Sequence, residues 1–200
     1  MNYHLSDIHR TIMIHQYRRG ILLDRDGVIN AKLPENSYVT RKSEFQFLPG
    51  VFDALPILIS LGFVLVVVTN QRGIARRRLT HEELQEIHGF MKNQLREHGV
   101  ELNQIYYCPH ETYELCPCRK PRPGMLLKAA KDLALNLPMS YMVGDSPSDV
   151  AAGHNATART VRISSERDRS AHMTFPSLLD FALFLQSVNR ELEFTTVLSS

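Results

Sequence analysis

The apolar residues of this chain fall into short solid blocks, and the stretches between them have a helical period. Ile21-Leu22-Leu23 is one block, closing on Asp24-Arg25-Asp26-Gly27. A short apolar run that ends in a turn reads as a buried strand. Phe63-Val64-Leu65-Val66-Val67-Val68 is the longest block. It is apolar at odd and even positions alike, as the centre of a parallel sheet covered on both faces requires. Ile105-Tyr106-Tyr107, Tyr141-Met142-Val143 and the segment near 159–163 read as three more strands. Elsewhere the period is that of a helix. Pro49-Gly50 opens one over 51–61. Thr80 and Glu83 have the spacing of a capping box, Leu84, Ile87, Met91 and Leu95 follow on one face, and Gly99 suits the stop. Pro123 starts another helix with Leu126, Ala130 and Leu133 together, and a last one falls near 177–188. Residues 30–48 hold Pro34, Asn36 and Ser37 and read as a loop or hairpin. Strands alternating with helices predict an α/β fold, a doubly wound parallel sheet with helices on both faces.

The chain has 200 residues, 44% of them hydrophobic, enough for one domain with a real core. We expect that domain over 20–190, between an extension at 1–19 and a tail at 191–200. A formal charge of +2 gives no reason to expect nucleic acid as a partner. No block approaches the ~20 apolar residues that span a bilayer, and residues 1–20 lack the apolar core of a secretory signal. Three cysteines, an odd number, argue against a disulfide framework. The expectation is a monomer in the cytoplasm.

Those cysteines are crowded. Cys108-Pro109-His110 is followed after a short gap by Cys116-Pro117-Cys118. Three thiolates and an imidazole make a closed tetrahedral zinc set, which is structural rather than catalytic. The plainer reading is buried apolar cysteines with a surface histidine, and the paired spacing favours zinc.

Asp24 with Asp26, then Thr69, then Asp145 follow the carboxyl ends of expected strands, and Lys120 precedes the helix at Pro123. That edge of an open α/β sheet is where ligands bind. Asp24-Arg25-Asp26-Gly27-Val28-Ile29, Thr69-Asn70, Lys120 and Gly144-Asp145 with Asp149, in this order, resemble the haloacid dehalogenase-like superfamily. Cys118-Arg119-Lys120-Pro121 running on from the zinc loop resembles two related capless groups of its subfamily IIIA. These are the D-glycero-D-manno-heptose 1,7-bisphosphate phosphatases and the histidinol-phosphate phosphatases.

The resemblance implies a phosphatase with Asp24 as nucleophile and an aspartyl-phosphate intermediate. Mg²⁺ would lie between Asp24, Asp145 and the backbone carbonyl of Asp26, while Asp26 protonates the leaving alkoxide and later activates water. Thr69, Asn70 and Lys120 would contact the phosphoryl oxygens, with Gln71 and Arg72 in the same phosphate-holding loop. Arg119 would contact the substrate, and Asn36, Ser37 and Tyr38 would face the sugar. Asp149 would orient Lys120 or the metal's outer shell, or simply cap the following helix. The small phosphorylated substrate is expected to be the heptose bisphosphate, losing its 7-phosphate, with histidinol phosphate or a range of phosphomonoesters as the alternative. Arg72, Arg77 and Ser146 depart from the heptose group, which has small residues at the first two positions and lysine at the third. Arg76–Arg78 otherwise reads as a solvated turn. A zinc-stabilised binding domain without activity would need a broken acidic set, and a nucleic-acid 3′-phosphatase would need a basic stripe with aromatics; neither is present.

Overall fold

The computed structural model describes residues 18–198, so the extension expected at 1–19 lies outside it except for Arg18 and Arg19. Six strands, β1 (Gly20–Leu23), β2 (Val64–Asn70), β3 (Gln104–Cys108), β4 (Tyr141–Gly144), β5 (Arg159–Ile163) and β6 (Met173–Phe175), form one sheet in the order β3-β2-β1-β4-β5-β6. Every pairing is parallel. The helices are α1 (Val51–Ser60), α2 (His81–Glu97), α3 (Gly124–Leu133), α4 (Pro147–Asn155) and α5 (Leu178–Leu198).

Strand alternation divides the core into two layers. Ile21, Leu23, Leu65, Val67 and Val143 pack on one face with Leu55, Leu84 and Phe181 of α1, α2 and α5. Leu22, Val66, Val68 and Met142 pack on the other with Leu126 and Ala129 of α3 and Ala152 of α4. Each fully buried aliphatic contributes roughly 1.5–3 kcal/mol, so the central strands are held from both sides. The capping box at α2 forms as its spacing predicts: Thr80 Oγ1 accepts from the Glu83 amide at 3.2 Å and Glu83 Oε2 from the Thr80 amide at 2.7 Å. Gly99 follows the helix with φ of 74°, a conformation that suits glycine.

Three elements differ from the sequence reading. β6 was not expected, because three half-exposed residues leave no apolar block. β2 runs on through Thr69 and Asn70, so these two residues end the strand rather than follow it. The last helix continues to Leu198, past the 188 expected for it. Residues 30–48 form a loop closed by one antiparallel bridge between Asn30 and Phe47, with no large cap above the sheet. Among the described residues no helix is long and apolar enough to cross a membrane.

Candidate active site

The chain winds from β1 outward through β2 and β3, then returns to the other side of β1 for β4, β5 and β6. The carboxyl ends of β1 and β4 flank the switch point of the sheet, where a crevice opens. Asp24 is the first residue past β1, and its amide donates to Val143 O of β4 at 2.9 Å. Its Oδ1 accepts from the Arg25 amide at 2.7 Å and lies 3.0 Å from Lys120 Nζ. Lys120, with 1% of its side chain exposed, also sits 2.6 Å from Asp149 Oδ1 and donates to Val68 O at 2.7 Å. Three oxygens thus surround an ammonium with three protons. Burial pushes the Asp24 carboxyl up to about 7; Lys120 opposes the rise, and Asp149 and Asp26 add to it. Lys120 resists its own burial because Asp149 and Asp24 hold its pKa above the ordinary lysine value.

Asp149 does both things the sequence allows, though not as the cap residue itself. Ser146 is the N-cap of α4 and Asp149 stands three residues on, where Oδ2 accepts from the Ser146 amide at 2.9 Å and the Ser146 hydroxyl at 2.7 Å. Its other oxygen is free to meet Lys120. This fit needs Gly144: a Cβ there would lie 2.1 Å from Asp149 Cβ and 2.3 Å from its carboxylate. Gly144→Ala is therefore expected to cost about 3 kcal/mol of unfolding free energy, read as a lower urea midpoint, as overpacking at a fixed backbone does, and to disturb Lys120 with it.

Asp26 is held differently. Arg25, 1% exposed, donates from Nη2 to both Asp26 oxygens at 2.9 Å, while Asn30 donates to Oδ1 at 2.9 Å and Gln71 to Oδ2 at 3.0 Å. Burial raises the Asp26 pKa, but Arg25 and these hydrogen bonds outweigh it and leave the carboxyl below its usual range. In this position Asp26 is a carboxylate, not an acid. The remaining Arg25 nitrogen meets His88 Nε2 at 3.3 Å. Burial, then the adjacent Arg25 charge, pushes the His88 imidazole down to about 3 from an unfolded value of 6.5. The unfolded chain therefore binds a proton that the folded one refuses. Stability is intact above that unfolded value and falls as the solution is acidified towards about 3, by at most about 1.4 kcal/mol per pH unit. The raised Asp24 carboxyl acts with the opposite sign in this range, so the His88 effect is read as a difference: measured against His88→Gln in urea titrations, the wild-type protein should lose roughly 2 kcal/mol between about pH 8 and about pH 5.

Asp145 follows β4 and faces Asp24 across the crevice. Ligand oxygens of Asp24, Asp145 and Asp149 lie within 4.8 Å of one another. Asp145 Oδ1 is buried with no hydrogen-bond partner, and the exposed Lys32 ammonium sits 2.6 Å from Oδ2. An orphaned carboxylate oxygen within a cluster of three carboxylates fits a hard cation such as Mg²⁺. Gly27, at φ of 88°, lets the turn pass this close, for a Cβ there would lie 2.4 Å from Asp145 Oδ2.

The second metal set also fits. Sγ atoms of Cys108, Cys116 and Cys118 are 3.3–3.5 Å apart, and His110 Nδ1 is 3.3 Å from Cys118 and 3.5 Å from Cys108. That is near the edge length of a zinc tetrahedron, about 3.8 Å from Zn–S bonds of about 2.3 Å. The clip leads directly into the lysine. Arg119 Nη1 donates to His110 O at 3.2 Å, and the Lys120 backbone is clasped by Asn70, which accepts from its N–H and donates to its C=O at 3.1 Å each. The Asn70 side chain thus braces the Lys120 backbone with one of the two N–H donors of its amide, while also lining the cavity over Asp24.

All the expected substrate and catalytic residues line one cavity of about 330 Å³ over Asp24. Asn36, Ser37 and Tyr38 form one wall, the β2 end with Thr69, Gln71 and Arg72 another, and Arg119 a third. Arg76 is not merely solvated: it donates to Asn36 Oδ1 at 3.0 Å and pairs with Glu111, whereas Arg77 and Arg78 are exposed. A larger cavity of about 760 Å³ beside β6 contains none of the Asp24 cluster. Sequence reasoning missed Arg25, Asn30, Lys32 and His88. Only Arg25 carried a signal, a cation between two carboxylates.

The HAD-hydrolase-like family model matches residues 117–181. A D-glycero-beta-D-manno-heptose-1,7-bisphosphate 7-phosphatase of Yersinia pestis is 41% identical over 175 residues, covering 80% of this chain and 92% of that one. The phosphatase of the same name from Escherichia coli K12 is 41% identical over the same share of this chain and 90% of its own. Among solved structures, D,D-heptose 1,7-bisphosphate phosphatase from B. bronchiseptica, complexed with magnesium and phosphate, superposes with a TM-score of 0.77. It is 29% identical and covers 84% of this chain and 98% of that one.

Proposed function

Because this chain belongs to the haloacid dehalogenase-like hydrolases, in the branch of the heptose bisphosphate phosphatases, and is a phosphoric monoester hydrolase, we propose that it removes the 7-phosphate of D-glycero-β-D-manno-heptose 1,7-bisphosphate. The observation that carries this reading is the convergence of Asp24, Asp145, Asp149 and Lys120 on one point of the cavity, in a chain 41% identical to phosphatases of that name.

In the proposed reaction an Asp24 oxygen attacks phosphorus in line. The new O–P bond forms as the bond to the sugar oxygen breaks. Lys120 neutralises charge on Asp24 and on the phosphoryl group. A Mg²⁺ ion held by Asp24 and Asp145 would screen the repulsion between the nucleophile and the phosphoryl oxygens. Asp26 gives the leaving oxygen its proton, then takes one from the water that cleaves the aspartyl-phosphate and frees Asp24. To do so its carboxyl has to turn off Arg25, and a carboxyl that leaves a guanidinium takes up a proton more readily. Thr69 and the backbone beyond it hold the phosphoryl oxygens.

The test is phosphate release with Mg²⁺ from a panel of both heptose bisphosphate anomers, histidinol phosphate and simple sugar phosphates. The expected result is at least a hundredfold preference for one heptose bisphosphate anomer, about 2.7 kcal/mol of differential transition-state binding. Equal weak rates throughout would sink the substrate, and a faster rate on histidinol phosphate would replace it.

Zinc in the four-ligand clip holds the segment that carries Arg119 and Lys120 in this reading. Removing a ligand present at a thousand times its Kd costs about 4 kcal/mol of stability. Cys118→Ser should therefore empty the site by elemental analysis, lower the melting temperature and reduce turnover together. A variant that loses zinc but keeps both stability and turnover would refute the role.

A further inference from the structure

Charge pairing in the cavity over Asp24 leaves a remainder. Arg25 pairs with Asp26, Lys32 with Asp145, and Lys120 with Asp24. Two guanidiniums, Arg72 and Arg119, line the same cavity, and neither forms an ion pair within 4.0 Å among the described residues, although the Arg72 charge does act on Glu111. The nearby Glu111 is taken by Arg76. The lining thus sets five cations, Arg25, Lys32, Arg72, Arg119 and Lys120, against four carboxylates, Asp24, Asp26, Glu35 and Asp145, and Arg72 and Arg119 are the two cations outside its ion pairs.

Arg72 is fixed without being used up. Its Nε donates to the Tyr38 hydroxyl at 3.1 Å and its Nη2 to Asn36 Oδ1 at 3.2 Å, while Nη1 has no hydrogen bond among the described residues. Bracing the 36–38 wall does not account for it, since Arg76 already holds the same Asn36 oxygen at 3.0 Å. A half-buried guanidinium, held on two sides and open on the third, suits the oxygens of a phosphate better than a lysine would.

We propose that Arg72 is a specificity-determining residue that binds the second, non-reacting phosphate of a sugar bisphosphate, with Arg119 lining the same cavity. The proposal rests on the reading of the site as a sugar-phosphate phosphatase and adds a residue that selects bisphosphates over monophosphates. Arg77, which also departs from the heptose group, is exposed and outside the cavity and has no part in it.

The test measures binding, so that turnover is not needed. In an Asp24→Asn background with Mg²⁺, calorimetry compares heptose 1,7-bisphosphate with heptose 7-phosphate, and fructose 1,6-bisphosphate with fructose 6-phosphate. The bisphosphate is expected to bind at least about tenfold more tightly, and Arg72→Ala to reduce that ratio to within about threefold, with Arg72→Lys intermediate. Equal losses for both members of a pair would make Arg72 a brace for the wall and overturn the proposal, as would a ratio that the variant leaves unchanged. If neither heptose binds, the substrate reading falls and the fructose pair decides Arg72 alone. No discrimination in either pair overturns it.

Discussion

Replacing Asp24 by asparagine is expected to lower kcat by on the order of 10⁴-fold or more while leaving the fold in place. Asparagine has nearly the same shape, and its Oδ1 can still accept from the Arg25 amide and from Lys120, the two contacts made at 2.7 and 3.0 Å. What it lacks is a carboxylate able to form and release an acyl phosphate. The fold has little reason to suffer, because burial already opposes the charge on Asp24 and drives its pKa to about 7. Single-turnover phosphate release and urea unfolding on the same sample check both halves. A variant that keeps its rate would remove Asp24 as nucleophile, and one that loses its fold would make the rate uninformative.

Lys120→Met should be the most damaging change to stability. Two carboxylates, Asp24 and Asp149, would be left buried around an apolar chain, and removing one partner of a buried ion pair costs about 3–5 kcal/mol. The pH dependence distinguishes this from simple loss of packing. Without the ammonium nothing opposes the burial that already raises the Asp24 carboxyl, so its folded pKa stands further above its unfolded one and the folded state binds the extra proton. Stability is then lost as pH rises from the unfolded carboxylate range through the raised folded value. In chelator the variant should unfold at lower urea near pH 8 than near pH 5, and a flat profile would contradict the pairing. Arginine should not rescue it, since a planar fork cannot replace a compact charge among Asp24, Asp149 and Val68 O.

Much of this site was legible because its chemistry is tied to element ends. Asp24 and Asp145 stand where apolar blocks stop, and that alone predicts a shared edge. The clip was legible because its four ligands fall within residues 108–118. What escaped notice depends on contacts distant in sequence. Nothing in the helical run containing His88 tells it apart from a core residue until Arg25 is seen beside it. Asn70 reads as a phosphate donor beside Thr69, and only the approach of the Lys120 backbone engages its amide. Lys32 and Arg76 lie in loop and turn segments without periodicity, whose partners Asp145 and Glu111 come from other parts of the chain. β6 escaped because its residues are half exposed.

The strand order also governs when chemistry can begin. β1 is made before the other strands, and β2 and β3 can join it as they emerge, but its other edge stays open until β4 arrives. The Asp24 amide has its acceptor in Val143, and the cluster has its remaining carboxylates in Asp145 and Asp149. A nascent chain that has reached α3 already contains Asp24, Asp26 and Lys120, yet lacks the strand that sets them against one another. Contacts of such long sequence separation form late and slowly. Activity in this fold therefore reports completed folding: a partly assembled chain has no partly active centre with which to hydrolyse phosphates indiscriminately.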